Sequence, residues 1–262
     1  NYVTRKLEPG EIIPLSIDVL FKKVFADNDN IERLEGFIAA WLNVDYKEVK
    51  GRVRILNNEK PIENKIDKRQ EFDIVGLIEL TTGTTILNIE LNMTKGSVLL
   101  RNFTYAAHLF SKQFDNKDKY EEANELIQLS FDNFDVNPNN KRIVKRCFLK
   151  DEENEIVEKM FQVIHIDIEK SKEAWYNKTI KEEQIEDQEL IIMGALLKIT
   201  NLAEFKKCLE GSKMNEDIKE NISDAVEEFS KDKDLFIFYD REKEKERIHR
   251  ADVAIARKEG IK

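Results

Sequence analysis

The stretch that decides the fold runs from Glu71 to Asn92 and reads EFDIVGLIELTTGTTILNIELN. Two apolar runs flank a Thr-Gly step, which is the pattern of a β-hairpin whose turn uses the positive φ that glycine tolerates. A two-residue turn at Thr82-Gly83 would set Asp73 opposite Asn92 and one diagonal step from Glu90. Directly paired residues share a face, so the hairpin is predicted to carry both acids and the amide on one side of a sheet.

Two acids and an amide on one sheet face favour a metal site, because sheet stability does not require them there. Diagonal neighbours on paired strands lie roughly 7–8 Å apart at the backbone, so the carboxylates of Asp73 and Glu90 could reach one cation. Mg²⁺ takes carboxylate oxygens and keeps several waters. The hairpin therefore predicts a site for a hard divalent cation, Mg²⁺ or Mn²⁺.

The spacing of these residues is similar to that of a known family. Asp73, then sixteen residues, then Glu90-Leu91-Asn92 resembles the D…(D/E)-x-K core of the PD-(D/E)xK nucleases. Within them, the chain resembles the Rpn branch, the recombination-promoting nucleases also called PD-(D/E)xK nuclease family transposases. Asn92 departs from the pattern, since the family carries Gln or Lys at that position. Four further stretches fit the family in order, and they are residues 17–25, 67–69, 101–105 and 227–239.

The resemblance implies an α/β fold with a restriction-endonuclease-like core, a mixed β-sheet flanked by helices, and a helical C-terminal subdomain. Strand-like patterns extend to about residue 170, and helical periodicity without proline follows them. We therefore predict a nuclease-like core over residues 1–170 and a helical subdomain over residues 171–262. The charged helical pattern is expected to continue beyond Lys262, and the C-terminal helices are candidates for a homo-oligomer contact.

The activity that the resemblance implies is metal-dependent endonucleolytic hydrolysis of DNA phosphodiester bonds. Asp73 and Glu90 would hold Mg²⁺ or Mn²⁺. The backbone carbonyl of Leu91 and the carboxylate of Asp18, reaching across from a helix, would assist them. Asn92 would orient the attacking water in place of Gln or Lys. Its side chain is one methylene shorter than Gln, and geometric errors near 1 Å can cost ~10²-fold in rate.

Four residues are predicted to contact DNA phosphates: Arg101, Tyr105, Lys22 and Lys68. Arg101 and Tyr105 match the Arg-x-x-x-Tyr spacing of the family. Lys22 lies four residues after Asp18, so it could pair with Asp18 or contact a phosphate. Asp18 also has a structural explanation, because an acid in the first turn of a helix interacts favourably with the helix dipole. Lys68 lies in a charged run before the hairpin, and such a run is also typical of a solvated loop.

The helix after the hairpin, residues 98–114, carries two stripes. An apolar stripe that includes Leu99 or Leu100 and Phe103 is predicted to pack on the sheet. Arg101 begins a separate polar stripe. The first stripe is expected to be buried, whereas the second could either be a solvated face or hold the scissile phosphate and its neighbours.

Composition limits the choice of partners. The net charge of −9 over 262 residues does not indicate a nucleic-acid binder that is basic throughout, although a nuclease needs only one basic groove. The two cysteines form no CxxC motif, and they predict neither a zinc site nor a disulfide framework. No stretch approaches the ~18 apolar residues of a membrane span. We predict DNA as the partner, no membrane association and a cytoplasmic location.

A second function stays open at the level of sequence. The same fold with a degenerate site would act as a DNA-binding or protein-interaction module, and Asn92 together with the acidic net charge favours that alternative. The joint presence of Asp73, Glu90, Arg101 and Tyr105 favours the enzyme. These residues also leave hydrolysis of RNA instead of DNA open.

Overall fold

Strands built around the hairpin form one mixed sheet in the computed structural model of the protein. The structure describes residues 7–56, 73–94, 96, 98–114, 119–180, 185–241, 243, 247 and 251. Within those residues, six strands pair in the order β1-β2-β3-β4-β6-β5. The strands are β1 (Val53–Ile55), β2 (Ile74–Leu80), β3 (Gly83–Asn92), β4 (Glu125–Asp132), β5 (Val144–Lys150) and β6 (Ile156–Asp167). The β3-β4 and β4-β6 pairs are parallel, and the other pairs are antiparallel.

Helices flank this sheet, which confirms the predicted α/β class. The α-helices are α1 (Asp18–Phe25), α2 (Glu32–Leu42), α3 (Tyr46–Val49), α4 (Val98–Ser111), α5 (Ile168–Tyr176), α6 (Gln188–Leu196), α7 (Leu202–Glu210) and α8 (Glu216–Ser230). Residues 233–241 are also helical. Among the residues described, none of the helices has both the length and the apolar character that crossing a membrane requires.

The hairpin forms, but the predicted register is wrong by two residues. The two turn residues are Thr81 and Thr82. The pairing runs from Leu80 opposite Gly83 to Ile74 opposite Ile89. The same register places Asp73, which directly precedes β2, opposite Glu90. The sequence had placed the two acids diagonally. A slip of two residues keeps every side chain on its own face of the sheet. Asp73, Glu90 and Asn92 therefore still share a face.

Helix α4 turns a different stripe toward the sheet from the predicted one. Asn102 and Ala106 are fully buried, whereas Phe103 is 57% exposed and Leu100 is 68% exposed. The amide of Asn102 donates a hydrogen bond of 2.5 Å to the hydroxyl of Ser130 on β4. Because a buried amide needs a partner, this contact holds the Asn102 side of the helix against the sheet. Phe103 is not buried as predicted, although its ring still contacts that of Phe161 on β6, with 5.9 Å between the ring centroids.

The C-terminal helices pack onto the hydrophobic core that covers the opposite face of the sheet. That core joins Phe21 of α1, Phe131 of β4 and Val226 of α8 in one contiguous cluster. The predicted boundary between residues 1–170 and 171–262 falls inside α5. The division of the chain into these two units stays a prediction.

Helices α2 and α8 approach each other closely at Gly36. A Cβ atom added to Gly36 would lie 2.8 Å from two side-chain carbon atoms of Ile218. In an open helix, Gly→Ala stabilises by about 1 kcal/mol, but here the clash is expected to dominate. We expect Gly36→Ala to lower the free energy of unfolding by about 1–3 kcal/mol in urea denaturation. In an Ile218→Ala background the same change should cost nothing, and an equal loss in both backgrounds would contradict this packing.

Candidate active site

Asp73 and Glu90 come together at the end of the hairpin that lies away from its turn. The backbone N–H of Asp73 donates to the Glu90 carboxylate. In return, the backbone N–H of Leu91 donates to Asp73 Oδ2 at 2.6 Å. Glu90 is 5% exposed and the side chain of Asp73 is 13% exposed. These crossed contacts between the two strands hold two largely buried carboxyl groups side by side.

Burial and like charge raise the pKa values of both acids. Burial raises the pKa of Glu90 to about 8, repulsion from Asp73 adds to the rise, and the amide of Asn88 only partly opposes it. Burial also raises the pKa of Asp73 to about 7, with a further rise from its contact with Asp18. The ammonium group of Lys22 lowers this pKa only in part. The nearby basic side chains therefore do not supply enough positive charge to keep both carboxyl groups ionised. A bound cation would supply the missing positive charge.

Helix α1 contributes an acid and a base to the same cluster. The Nζ atom of Lys22 lies 3.1 Å from Asp18 Oδ1 and 3.3 Å from Asp73 Oδ1. Partial burial lowers the pKa of the Lys22 amine, but the carboxylates of Asp73 and Asp18 outweigh burial, so that this pKa is raised overall. The structure thus brings Asp18 and Lys22 to Asp73, which the order of residues along the chain alone does not require.

The donor set fits a hard divalent cation. Its ligands would be carboxylate oxygens of Asp73 and Glu90, with the Asp18 carboxylate beside Asp73. Within the described part of the chain, no group of three His, Cys, Asp or Glu side chains is arranged to hold a metal ion. Zinc sites usually need at least three protein ligands. Mg²⁺ is often held by one or two carboxylates and several waters, so the paired acids meet its requirements.

Asn92 is 1% exposed, and its amide is used on both sides. Its Nδ2 atom donates to Ser130 Oγ at 2.7 Å and to Asp132 Oδ1 at 2.9 Å. Its Oδ1 atom accepts a hydrogen bond from the guanidinium group of Arg101. An amide nitrogen carries two N–H groups, and both are committed here. The water-orienting role predicted for Asn92 is therefore left without a free N–H donor.

The predicted phosphate-binding residues fall into three groups. Arg101 contacts Asn92 and lies close enough to Glu90 to lower the pKa of its carboxyl group, and Lys22 contacts the acids from α1. Tyr105 lies one turn after Arg101 on α4 and is half-buried. Lys68 lies outside the described residues. The structure therefore brings Arg101 and Lys22 to the acids from two different helices.

A layer of buried polar side chains, which was not predicted, extends from the acids across β3, β4 and β6 under α4. Its members are Asn88, Glu90, Asn92, Asn102, Gln128, Ser130, Asp132 and His165. The Asp132 carboxylate is central, because it accepts from Asn92 and Ser130 and lies 2.8 Å from His165 Nδ1. The signal in the sequence is a polar residue at every second position of two otherwise apolar strands, residues 88–92 and 128–132.

The fold is a mixed sheet flanked by helices. Its hairpin carries the two acids, and the next helix carries Arg101. These features define a nuclease-like α/β core of the PD-(D/E)xK class. The chain belongs to the PD-(D/E)XK nuclease family transposases, whose family model matches residues 15–256. This match confirms the resemblance and the predicted fold class, and it supports a nuclease-type function. Neither the curated proteins nor the solved structures give a significant match.

Proposed function

We propose that the protein is a metal-dependent DNA endonuclease that hydrolyses phosphodiester bonds in transposase-associated recombination. One observation carries the proposal: Asp73 and Glu90 lie side by side, largely buried, with pKa values raised to about 7 and about 8. Such a pair is unfavourable in the absence of a cation, and perturbed acids of this kind are typical of functional sites. Because the chain belongs to a nuclease family, we propose that the bound cation takes part in phosphodiester hydrolysis.

In the proposed site, Asp73 and Glu90 hold Mg²⁺ or Mn²⁺, and the Leu91 carbonyl and the Asp18 carboxylate are further candidate ligands. A divalent cation supplies charge stabilisation at the phosphate and activation of water. Lys22 and Arg101 would bind phosphate oxygens through charge-assisted hydrogen bonds. We propose Tyr105 and Lys68 as further phosphate contacts.

DNA is the substrate that this proposal commits to, despite the net charge of −9. Part of the negative charge belongs to the three acids of the site, and a bound cation would offset it. Phosphate contacts of this kind position a strand without reading its sequence. A cytoplasmic location and a homo-oligomer through the C-terminal helices remain parts of the proposal.

One observation favours a second candidate, a catalytically degenerate fold that binds DNA or another protein. Both N–H groups of Asn92 are engaged by Ser130 and Asp132. In that arrangement Asn92 has no N–H with which to orient a water molecule. The two candidates differ in whether the metal-loaded protein cuts DNA.

The test is nicking of supercoiled plasmid at low salt, with Mg²⁺ or with a chelator. We expect the parent protein to nick only with Mg²⁺ and Asp73→Ala to be inactive. Asp224→Ala, which removes an exposed acid from α8, is the matched control and should nick like the parent. Nicking that survives Asp73→Ala would contradict the proposed site. A parent protein that binds duplex DNA but never cuts it would favour the degenerate module.

A further inference from the structure

We propose that Arg101 supplies the polar donor that the family takes from Gln or Lys at the third motif position, and that Asn92 is the positioning residue that holds Arg101 in place. This inference rests on the proposed function, because the donor would act on the scissile phosphate. It assigns Asn92 a role different from the water-orienting role suggested by its place in the motif. It also assigns a role to the buried acid Asp132, which anchors Asn92.

The hydrogen bonds around Asn92 fix which way its amide points. Asp132 as a carboxylate can only accept hydrogen bonds, and it accepts from Asn92 at 2.9 Å and from Ser130 at 2.9 Å. The amide nitrogen of Asn92 must therefore face Asp132, which leaves the amide oxygen on the side of α4. That oxygen is the atom that accepts from Arg101. The buried acid thus determines that the residue next to the catalytic acids presents an acceptor to a guanidinium group.

The position of Arg101 suits direct contact with substrate. Arg101 is exposed, whereas Asn92 is 1% exposed. The positive charge of Arg101 lies close enough to Glu90 to lower the pKa of that carboxyl group. A guanidinium group has five N–H donors in a fixed planar fork. The contact with Asn92 orients this fork, and its other N–H groups can bind two oxygens of one phosphate.

The length of Asn92 matters for this arrangement. Its side chain spans the distance between Asp132 on β4 and Arg101 on α4, with hydrogen bonds at both ends. A Gln at this position would add one methylene in a fully buried space whose partners are already fixed. The longer amide could not keep both contacts without displacing Arg101.

The test compares plasmid-cleavage kinetics of the full chain with Mg²⁺ for Arg101→Ala, Asn92→Ala, the double variant and Asn92→Gln. We expect Arg101→Ala to lower kcat by ~10²-fold, with a smaller effect on KM. Asn92→Ala should lower kcat in the parent but have no further effect in the Arg101→Ala background, because the two residues act as one unit. Arg54→Ala removes an exposed arginine from β1 and is the matched control.

Chemical rescue and Asn92→Gln separate positioning from general structural damage. Millimolar guanidinium ion should restore cleavage to Arg101→Ala, and it should restore less in the double variant, which lacks the Asn92 acceptor. Asn92→Gln should lower the rate, whereas a water-orienting role predicts that it raises the rate. Arg101 is exposed, so its variants are expected to fold, and rescue by guanidinium ion keeps the test decisive if Asn92→Ala is unstable.

The outcomes separate this inference from the proposed function. If the parent protein does not cut with Mg²⁺, the proposed function fails and this inference fails with it. If the parent cuts but the effects of Arg101→Ala and Asn92→Ala on kcat are multiplicative, only the inference is overturned. A rise in KM alone for Arg101→Ala, without loss of kcat, would also overturn it.

Discussion

Glu90→Gln is expected to abolish cleavage and, at the same time, to stabilise the metal-free protein at pH 8.5. The catalytic loss follows because Gln removes an anionic oxygen from the proposed cation site, and we expect a rate at least ~10²-fold below that of the parent. The gain in stability follows because the folded protein holds Glu90 in a buried position next to Asp73. Active-site substitutions often raise stability while lowering activity, so the pH dependence of the gain is what ties it to the Glu90 carboxyl group.

The pH dependence of this stabilisation has a definite sign. The pKa of Glu90 is raised from the ordinary 4.5 to about 8 in the folded protein. Between those two values the folded state binds more protons than the unfolded state, so the metal-free parent loses stability as pH rises through this window. Gln does not ionise and removes that loss. We expect the free energy of unfolding of Glu90→Gln to exceed that of the parent by on the order of 5 kcal/mol at pH 8.5, and the difference to vanish near pH 4.

Urea denaturation with a chelator at both pH values measures this difference. Glu79→Gln is the matched control, because Glu79 is an exposed glutamate on β2. Added Mg²⁺ should stabilise the parent at pH 8.5 and should not stabilise Glu90→Gln. A variant that is less stable than the parent at pH 8.5, or that cuts at the parent rate, would contradict the arrangement of the two acids.

The second large effect is expected from Asp132→Ala, and it concerns folding. Asp132 is 1% exposed and accepts hydrogen bonds from Asn92 and Ser130, and His165 Nδ1 lies 2.8 Å from its other oxygen. Alanine leaves these three buried polar groups without their shared partner. Each buried group without a partner costs ~1–3 kcal/mol, so we expect the free energy of unfolding to fall by about 3–5 kcal/mol.

Urea denaturation at pH 7 measures this loss. Asp224→Ala, on the exposed side of α8, should leave the free energy of unfolding close to that of the parent. A loss of less than about 1 kcal/mol for Asp132→Ala would mean that water replaces the carboxylate as the partner of these groups.

The hairpin shows what the sequence could and could not predict about the fold. The two apolar runs on either side of a turn identified both strands, and the predicted pairing placed Asp73 and Glu90 on one face. These features could not determine the register, because a slip of two residues leaves every side chain on its face. Thr81-Thr82 and Thr82-Gly83 both offer a two-residue turn. The polarity pattern of the two strands does not distinguish these turns.

The candidate site shows the same limit in its side chains. The acids were predictable from their spacing, but the partners of Asn92 lie 38 and 40 residues away, on a strand with no marked motif. Asn102 is buried, and its hydrogen-bond partner Ser130 lies 28 residues away. The hydrophobic pattern of α4 had instead favoured Phe103 at the contact with the sheet. Hydrophobic periodicity cannot anticipate a buried amide whose stability depends on a distant hydroxyl group.

The two faces of the sheet differ greatly in how much apolar packing covers them. One carries the large apolar core that joins α1, α2 and the C-terminal helices, whereas among the described residues the other is covered by α4 over a small apolar cluster and the polar layer. Local opening costs least where few apolar contacts are broken. Lifting this one helix would therefore admit water to Glu90 and Asn92 while the main core stays closed. Among the described residues, the proposed site thus lies on the face of the sheet that has the smaller apolar cluster.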